Sequence, residues 1–431
     1  MPAVRQLPTN PSLEHLKKEA KALLKALRAD DPDALARMDR HPRSGDTRKG
    51  EMQLADAQHV LALEYGFGTW RAMTEYARSD LRLVEAAVLS DDPEALDRIV
   101  QADLGWLRRK EHWRGFLHWR GAVDLLCYAA ACGSVPLVDV LLGHGTQSQV
   151  DIPGVFYHCL RRDRTDVADH LLERCAVEVH HLHEHLYQLT EDLNVEGVRW
   201  MIENGADPDC RRAGIKWSPL HNGLHTYPCL NPNRQQVARI LVEAGADHDD
   251  SALYDLLTGR MDRLVERLRA DPSLVNAPFD LRGGRDVELE FGAVYGGAPL
   301  VNTTLLHHCA EYGWVEEARL PLGRGADPNV RAMPAPDGFN THTPVFHGVT
   351  TNCNVSWDVL KLLMESGADV NARADVRVGE ELRDVTPLGY IDRFPNGYHK
   401  SDTPGDWGAT RDLGPAPHPE VVELLRQHGA N

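Results

Sequence analysis

An all-α array of stacked helix pairs, preceded by a small helical domain, is the fold class this sequence predicts. One phrase recurs: Asn204-Gly-Ala-Asp-Pro208, Ala244-Gly-Ala-Asp-His248, Arg324-Gly-Ala-Asp-Pro-Asn329, Ser366-Gly-Ala-Asp-Val-Asn371 and His428-Gly-Ala-Asn431. Each copy follows a short apolar helical stretch such as Val359-Leu-Lys-Leu-Leu-Met364, so helix, glycine stop and extended turn alternate as in a repeat array. The length, 431 residues, exceeds one compact core and suits a small domain plus such an array.

The expected division is an N-terminal helical module over residues 1–79 and a repeat array over 80–431. In the module, Leu13, Leu16, Ala20, Leu23, Leu24 and Leu27 recur at spacings of three and four, one apolar stripe on a helix. Lys17, Lys18, Lys21 and Lys25 take the other face. Asp31-Pro32 reads as the cap and first residue of a second helix. A third helix runs through Leu54–Tyr65 and stops at Gly66, and Thr69 caps a last one from Trp70.

About nine units follow. The first are degenerate: Leu125–Gly133 with Val135–Gly145, then Val155–Cys175. Fair copies lie near 186–209 and 218–247, and clear ones near 304–330 and 343–371. The unit Ala252–Val275 has Asp271-Pro-Ser-Leu-Val-Asn276 where Gly-Ala-Asp belongs. Proline after Ser218 and Thr343 is pre-set for a helix start, and the hydroxyl before it caps that helix. Gly205, Gly245, Gly325 and Gly367 suit the left-handed residue that ends a helix without a Cβ penalty.

Leu305-Leu-His-His-Cys-Ala-Glu-Tyr-Gly313 through Gly325-Ala-Asp-Pro-Asn329 resembles an ankyrin repeat, and Ser218-Pro-Leu-His221, Thr343-Pro-Val-Phe-His347 and Thr386-Pro-Leu388 resemble that family's Thr-Pro-Leu-His opening. The likeness spans about residues 81–431 and implies an ankyrin-repeat solenoid with extended hairpin fingers. Ser12-Leu-Glu-His-Leu-Lys-Lys-Glu-Ala-Lys21, Ala55–Ala62 and Tyr65-Gly-Phe-Gly-Thr-Trp70 resemble a helical module found ahead of ankyrin repeats in bacterial proteins. That module reads as a cap on the first repeat, or as a docking unit with a lysine face.

The family period is about 33 residues. Here Asp207 to Asp247 is 40 residues and Asp327 to Asp369 is 42, with the surplus placed after the Gly-Ala-Asp phrases. It therefore lengthens the fingers, most of all at Phe279–Thr303, Arg373–Val385 and Pro395–Pro419. Insertions on one face of a repeat array often mark the binding face, although loops also tolerate length cheaply.

The net charge of −17 is unevenly spread. Residues 1–79 hold 13 Lys+Arg and 11 Asp+Glu; subtraction from 47 and 64 leaves 34 against 53 for the array. Such a surface repels phosphate backbones, which argues against nucleic acid as a partner. No apolar run of membrane-spanning length occurs, and Met1-Pro-Ala-Val-Arg5 lacks a signal-peptide stretch. Eight scattered cysteines, several in apolar helical stretches, fit buried thiols in a reducing compartment. A monomeric cytoplasmic protein is the expectation.

Binding candidates come in two groups. Trp106, Trp113, Phe116 and Trp119 interleave with Arg108, Arg109, Lys110, Arg114 and Arg120, a basic aromatic finger on an acidic chain. Tryptophan and arginine dominate binding hot spots, and they also pair within loops. From this segment Arg109, Trp113, Arg114 and Trp119 are the expected partner contacts. The resemblance implies further contacts at finger tips and inner helices: Arg211, Lys216 and Trp217; Glu311 and Tyr312; Arg331, Phe339, Asn340 and His342; and Asn352. Pro321 departs from the family pattern and is expected to bend or shorten its helix.

His180, His181, His183 and His185 are the densest set of potential metal ligands, with His181 and His185 one helical turn apart. Tyr187 stands where a zinc-protease helix has its second histidine, and no carboxylate or cysteine lies at ligand spacing, so a solvated or inter-repeat cluster is favoured over a metal. The family resemblance implies that His221, His307 and His347 bond backbone groups between repeats. Phosphate-loop, nucleophile-elbow, Cys-x-x-Cys and calcium-loop motifs are absent. The expectation is a non-catalytic scaffold, without cofactor or metal, that binds an unidentified partner protein. The alternatives are a two-sided adaptor using the N-terminal module, or an active site within the long insertions.

Overall fold

Helices dominate from the first described residue to the last. The structure is a computed structural model and describes residues 13–40, 52–77, 80–113, 122–211, 217–226, 231–280, 300–349, 357–378, 380–393 and 419–431. The chain divides into two compact units, residues 1–159 and 160–431. The parting falls inside the repeat region, whereas the sequence suggests a module boundary at 79/80.

The first unit opens with α1 (Leu13–Arg28), α2 (Pro32–Arg40), α3 (Leu54–Glu64) and α4 (Trp70–Tyr76). Leu16, Ala20, Leu23 and Leu27 are buried on α1, while the four lysines of the opposite face are exposed. Leu16 and Ala20 pack with Leu61, Tyr65 and Met73; Leu23 and Leu27 pack with Ala34, Ala57 and Val60. The expected caps form: Asp31 Oδ1 accepts from Ala34 N at 2.9 Å, and Thr69 Oγ1 accepts from Ala72 N at 3.1 Å. Tyr76 donates its hydroxyl to Glu85, tying α4 to the next helix.

Two helix pairs follow, α5 (Leu81–Leu89) with α6 (Pro93–Ala102) and α7 (Leu125–Cys132) with α8 (Val135–Gly143), before α9 (Ile152–Leu160). First helices stack on first helices and second on second. Residues 125–131 are all buried, because an inner helix is covered on every side. The finger between α6 and α7 closes with β1 (Lys110–Glu111) antiparallel to β2 (Val123–Asp124).

The second unit continues the pattern with α10 (Thr165–Arg174), α11 (His183–Glu191), α12 (Val195–Glu203), α13 (Pro219–His225), α14 (Arg234–Glu243), α15 (Ala252–Leu257) and α16 (Met261–Ala270). It ends with α17 (Leu305–Tyr312), α18 (Val315–Gly323), α19 (Pro344–Val349), α20 (Trp357–Glu365), α21 (Pro387–Arg393) and α22 (Pro419–Gln427). From α5 to α22 the described helices number eighteen in chain order, as the nine helix-pair units expected require. Within this unit α11 packs on α13, α15 on α17, α17 on α19 and α19 on α21, while α12 packs on α14 and α18 on α20.

Each letter of the recurring phrase has a separate task. Gly205, Gly245, Gly325, Gly367 and Gly429 have φ between 88° and 97°, the left-handed stop. The alanine after the glycine is buried at 206, 246 and 326 and donates back into the helix, as Ala206 N does to Met201 O at 2.9 Å. The aspartate carboxylate closes the following turn, as Asp327 Oδ1 does with Asn329 N at 2.8 Å. Pro321 does not shorten its helix: α18 keeps nine residues, as α12 and α20 do. A proline in the last turn removes one helical hydrogen bond and leaves the earlier turns intact.

Candidate interaction surface

The largest described finger assembly lies in the second unit. The finger of residues 327–343 turns at Gly338 (φ 85°), where Ala335 N donates to Phe339 O at 2.8 Å. Its neighbour is a hairpin, β5 (Ala374–Val378) antiparallel to β6 (Glu380–Val385), which is the insertion expected over Arg373–Val385. Asn340 and Thr341 both donate main-chain N–H groups to Asp375 O, at 2.6 and 3.1 Å, and Asp375 N returns a bond to Thr341 Oγ1 at 3.0 Å. Asn340 adopts φ 66°, a left-handed conformation that asparagine tolerates better than most residues. Arg331 joins the two fingers by donating to Thr341 O at 2.9 Å and Arg373 O at 2.7 Å.

Charge covers the outer side of this pair. The Arg377 and Arg383 guanidiniums lie 4.5 and 4.1 Å from the centroid of the Phe339 ring. Arg377 also pairs with Asp337 (2.6 Å) and Glu381 (2.8 Å), Arg383 with Asp375 (3.2 Å), and Arg373 with Asp384 (2.6 Å). The bond from Arg373 holds the Asp384 carboxyl below its ordinary range and raises the guanidinium. On the same 327–343 finger Met333 is 52% exposed, a large apolar side chain.

No family model matches this chain, and no curated protein does. Among solved structures it is similar to the crystal structure of the human ASB11 ankyrin repeat domain, at 16% identity over 68% of this chain and 99% of that one, with a TM-score of 0.32. The ankyrin-like repeats described above rest on the chain's own helix pairs, glycine stops and fingers.

Several expected contact residues turn out to be internal. Phe339 is 1% exposed and His342 fully buried, because the finger folds its aromatic groups under the arginines and against the inner helices. Tyr312 is 4% exposed: its hydroxyl donates to Leu224 O at 2.8 Å and its ring lies 4.6 Å beneath the Arg234 guanidinium. Glu311 is largely buried and bonds His347 Nδ1 at 2.7 Å. These four residues build contacts within the second unit and do not form a free surface. Arg331 remains exposed and Asn340 half-buried.

The same correction applies to the basic aromatic finger of the first unit. Trp113 is buried, stacked on Tyr128 with centroids 4.8 Å apart and planes at 4°, and its Nε1 donates to Val123 O at 2.8 Å. Trp106 is buried beside it. Arg109 stays exposed, lying over Trp106 at 4.5 Å and pairing with Asp103 at 2.5 Å. In the finger after α12, Arg211 is exposed and Trp217 half-buried, its carbonyl taking the Tyr187 hydroxyl. Arg114, Trp119, Lys216 and Asn352 lie outside the described residues, as do 281–299 and 394–418 of the longest insertions.

The histidines separate by register. His221 and His307 stand three residues after their caps, and each Nδ1 lies 2.9 Å from the capping hydroxyl of Ser218 or Thr304. Thr304 N donates to His307 Nδ1 at 3.2 Å, so Nε2 carries the proton and donates to His342 O at 3.3 Å. That is the inter-repeat backbone bond the resemblance implies. His347 differs: it lies four residues after Thr343, and bonds Glu311 and the His342 ring in place of backbone. His181 falls in a 3-10 turn and His185 in α11, so they do not share one regular helix; His185 Nδ1 pairs with Gln188 Oε1 at 2.9 Å. Among the described residues no group of three His, Cys, Asp or Glu is arranged to hold a metal ion, and no helix is long and apolar enough to cross a membrane.

Proposed function

We propose that this chain is a non-catalytic protein-binding scaffold, and that the paired fingers of residues 327–343 and 373–385 are its principal contact surface. The observation that carries this reading is their mutual lacing through Asp375, Thr341 and Arg331. A surface ordered before docking loses little conformational entropy when a partner arrives. Arg331, Arg373, Arg377 and Arg383, together with the exposed Met333, give it both ionic and apolar groups. Arg109 and Arg211 are secondary contacts in the same reading. A reducing, cytoplasmic setting suits it, since Cys127, Cys132, Cys159, Cys175, Cys210 and Cys309 are free thiols.

The test places a photo-crosslinking residue at Met333 and compares adducts with those of the same protein carrying Arg383→Glu. A discrete adduct lost in the variant is expected. An adduct unchanged by the charge reversal, or none at Met333 while a probe on α1 gives one, overturns the choice of surface. The second outcome would favour the two-sided adaptor, which the exposed Lys17, Lys18, Lys21 and Lys25 face supports.

A further inference from the structure

Three buried histidines, His307, His342 and His347, meet where α17 packs on α19, and a fourth, His308 on α17, lies near enough for the His347 ring to act on it. The His342 and His347 rings touch through their Nε2 atoms at 3.0 Å, and His347 Nδ1 lies 2.7 Å from Glu311 Oε2. The repeat before has the corresponding pair: Thr303 Oγ1 and His308 Nε2 are 3.2 Å apart. In both repeats the residue before the cap bonds the fourth residue after it. The centroids of His307, His342 and His347 lie between 4.9 and 5.6 Å from one another. His342 is also the root of the finger, because its carbonyl receives both Ala332 N at 2.9 Å and His307 Nε2 at 3.3 Å.

The bonding pattern leaves no place for an added proton. The Glu311 carboxylate accepts from His347 Nδ1–H; a neutral His347 then accepts on Nε2 from His342 Nε2–H. The remaining nitrogen, His342 Nδ1, is buried with no hydrogen-bond partner among the described residues, and so is His308 Nδ1. A proton on either atom makes a buried, unsatisfied charged donor beside other imidazoles.

We propose that this histidine nest is an acid-sensitive joint: protonation of His342 or His308 releases α17 from α19 and frees the root of the 327–343 finger. The neighbouring repeats stay folded. Burial, then the His347 ring, pushes His307 and His342 well below the ordinary histidine range, and the same causes put His308 at about 3. The closed joint is favoured fully above about pH 6.5 and loses ground as pH falls, each neutral histidine weakening it by up to about tenfold per pH unit.

Among the described residues, the groups facing the nest from each packed element supply no counter-charge beyond Glu311. From α13 comes His225, itself held neutral at about 3 by burial, with His221 and Arg234 behind it. Asp255 on α15 is engaged by Arg260, Arg263 and Arg267. On α18, Glu316 pairs with Arg319, and Glu317 acts on the Cys309 thiol of α17. Lys361 on α20 lies over the Trp357 ring, and α21 meets α19 through Tyr390 on Phe346.

Amide hydrogen exchange on the full chain between pH 7.5 and 5.0, corrected for intrinsic rates, tests the joint with no partner present. Protection over 305–349 is expected to fall at least about tenfold between pH 6.5 and 5.0 and to recover on return to neutral pH. Residues 261–270 of α16, which contain no histidine, are expected to hold. Protection that stays flat over 305–349, or that falls equally in both segments, overturns the proposal. His342→Gln should reduce the pH response of 305–349, and adding His308→Gln should reduce it further; should those variants not fold, the wild-type comparison still decides.

Discussion

Asn329 holds Asp369, one repeat further along, by accepting its main-chain N–H at 2.6 Å. The same asparagine donates through Nδ2 to Gly367 O at 3.0 Å, so one side chain satisfies a donor and an acceptor at the next helix stop. The rung recurs. Asn371 binds Gly429 O at 2.8 Å and Asn431 N at 3.0 Å, and Asn276 accepts from Asp327 N at 2.9 Å. Asp209 does half the work, accepting from Asp247 N at 2.8 Å.

Asn329→Ala should therefore weaken the coupling between adjacent repeats. Two partly solvated hydrogen bonds contribute about 1 kcal/mol each at most, so a loss of about 1–2 kcal/mol by urea unfolding is expected. Asn329→Asp keeps the acceptor and loses the donor, and should fall between wild type and the alanine variant. Equal stabilities for all three proteins would reject the rung as a source of repeat coupling.

Gly367→Ala tests the stop itself. A Cβ built there meets nothing within 4 Å, and φ is 92°, so the cost is conformational and not steric. A destabilisation of about 1 kcal/mol is expected, readable as a lower urea midpoint at unchanged slope. Loss of several times that amount would point to packing the structure does not contain.

Much of the array was legible because each repeat carries its own punctuation. Gly205, Gly245, Gly325 and Gly367 sit at the left-handed stops their spacing indicates, and Ser218 caps its helix as expected, whereas the Thr343 hydroxyl is buried without a hydrogen-bond partner among the described residues and does not cap. The Asn276 rung was not legible, since the 3-10 turn Pro272–Val275 replaces the usual phrase and still delivers the asparagine to the same place. His347 misled through register: one residue of offset moves an imidazole from the cap to the inter-helix seam. A signal was present in the matching offsets of Thr303 to His308 and His342 to His347. For Trp113, Tyr312 and Phe339, composition names residues that bind well, but the same large rings fill interiors, and only packing separates the two uses.

Trp113 is expected to behave as core. Trp113→Ala removes the stack on Tyr128 and should cost about 3–5 kcal/mol, whereas Trp113→Phe keeps a ring and loses the bond to Val123 O, about 1 kcal/mol. Near-wild-type stability of the alanine variant would return this residue to the surface.

Cys210 gives a pH-dependent reading. Burial, then Asp207, pushes its thiol up to about 12 from an ordinary 9.0. The folded chain keeps the proton that the unfolded chain releases above pH 9, so this contribution is present below 9 and declines as pH rises toward 12. Between pH 8 and 10 wild type should lose more stability than Cys210→Ala. In native protein Cys210 should resist thiol reagents at pH 8, and rapid labelling would contradict its placement.

Arg234 and Tyr312 form a coupled pair best resolved by a double-mutant cycle. Arg234 is fully buried and donates to Gly223 O, Leu224 O and Thr226 O at 2.5, 2.9 and 3.1 Å, the carbonyls that α13 leaves open at its C-terminal end. The negative end of the helix dipole offsets the cost of burying the guanidinium there. Tyr312 shares this site, since its hydroxyl also reaches Leu224 O and its ring underlies the cation. Arg234→Leu strands those carbonyls and should cost about 3–5 kcal/mol, near the loss seen when one partner of a buried charged contact is removed. Tyr312→Leu should cost about 2–4 kcal/mol from the lost ring and bond. With the cation gone the ring has less to stabilise, so the double variant should be milder than the sum by about 1 kcal/mol. Additivity within about 0.3 kcal/mol would show that the two side chains act independently at the α13 terminus.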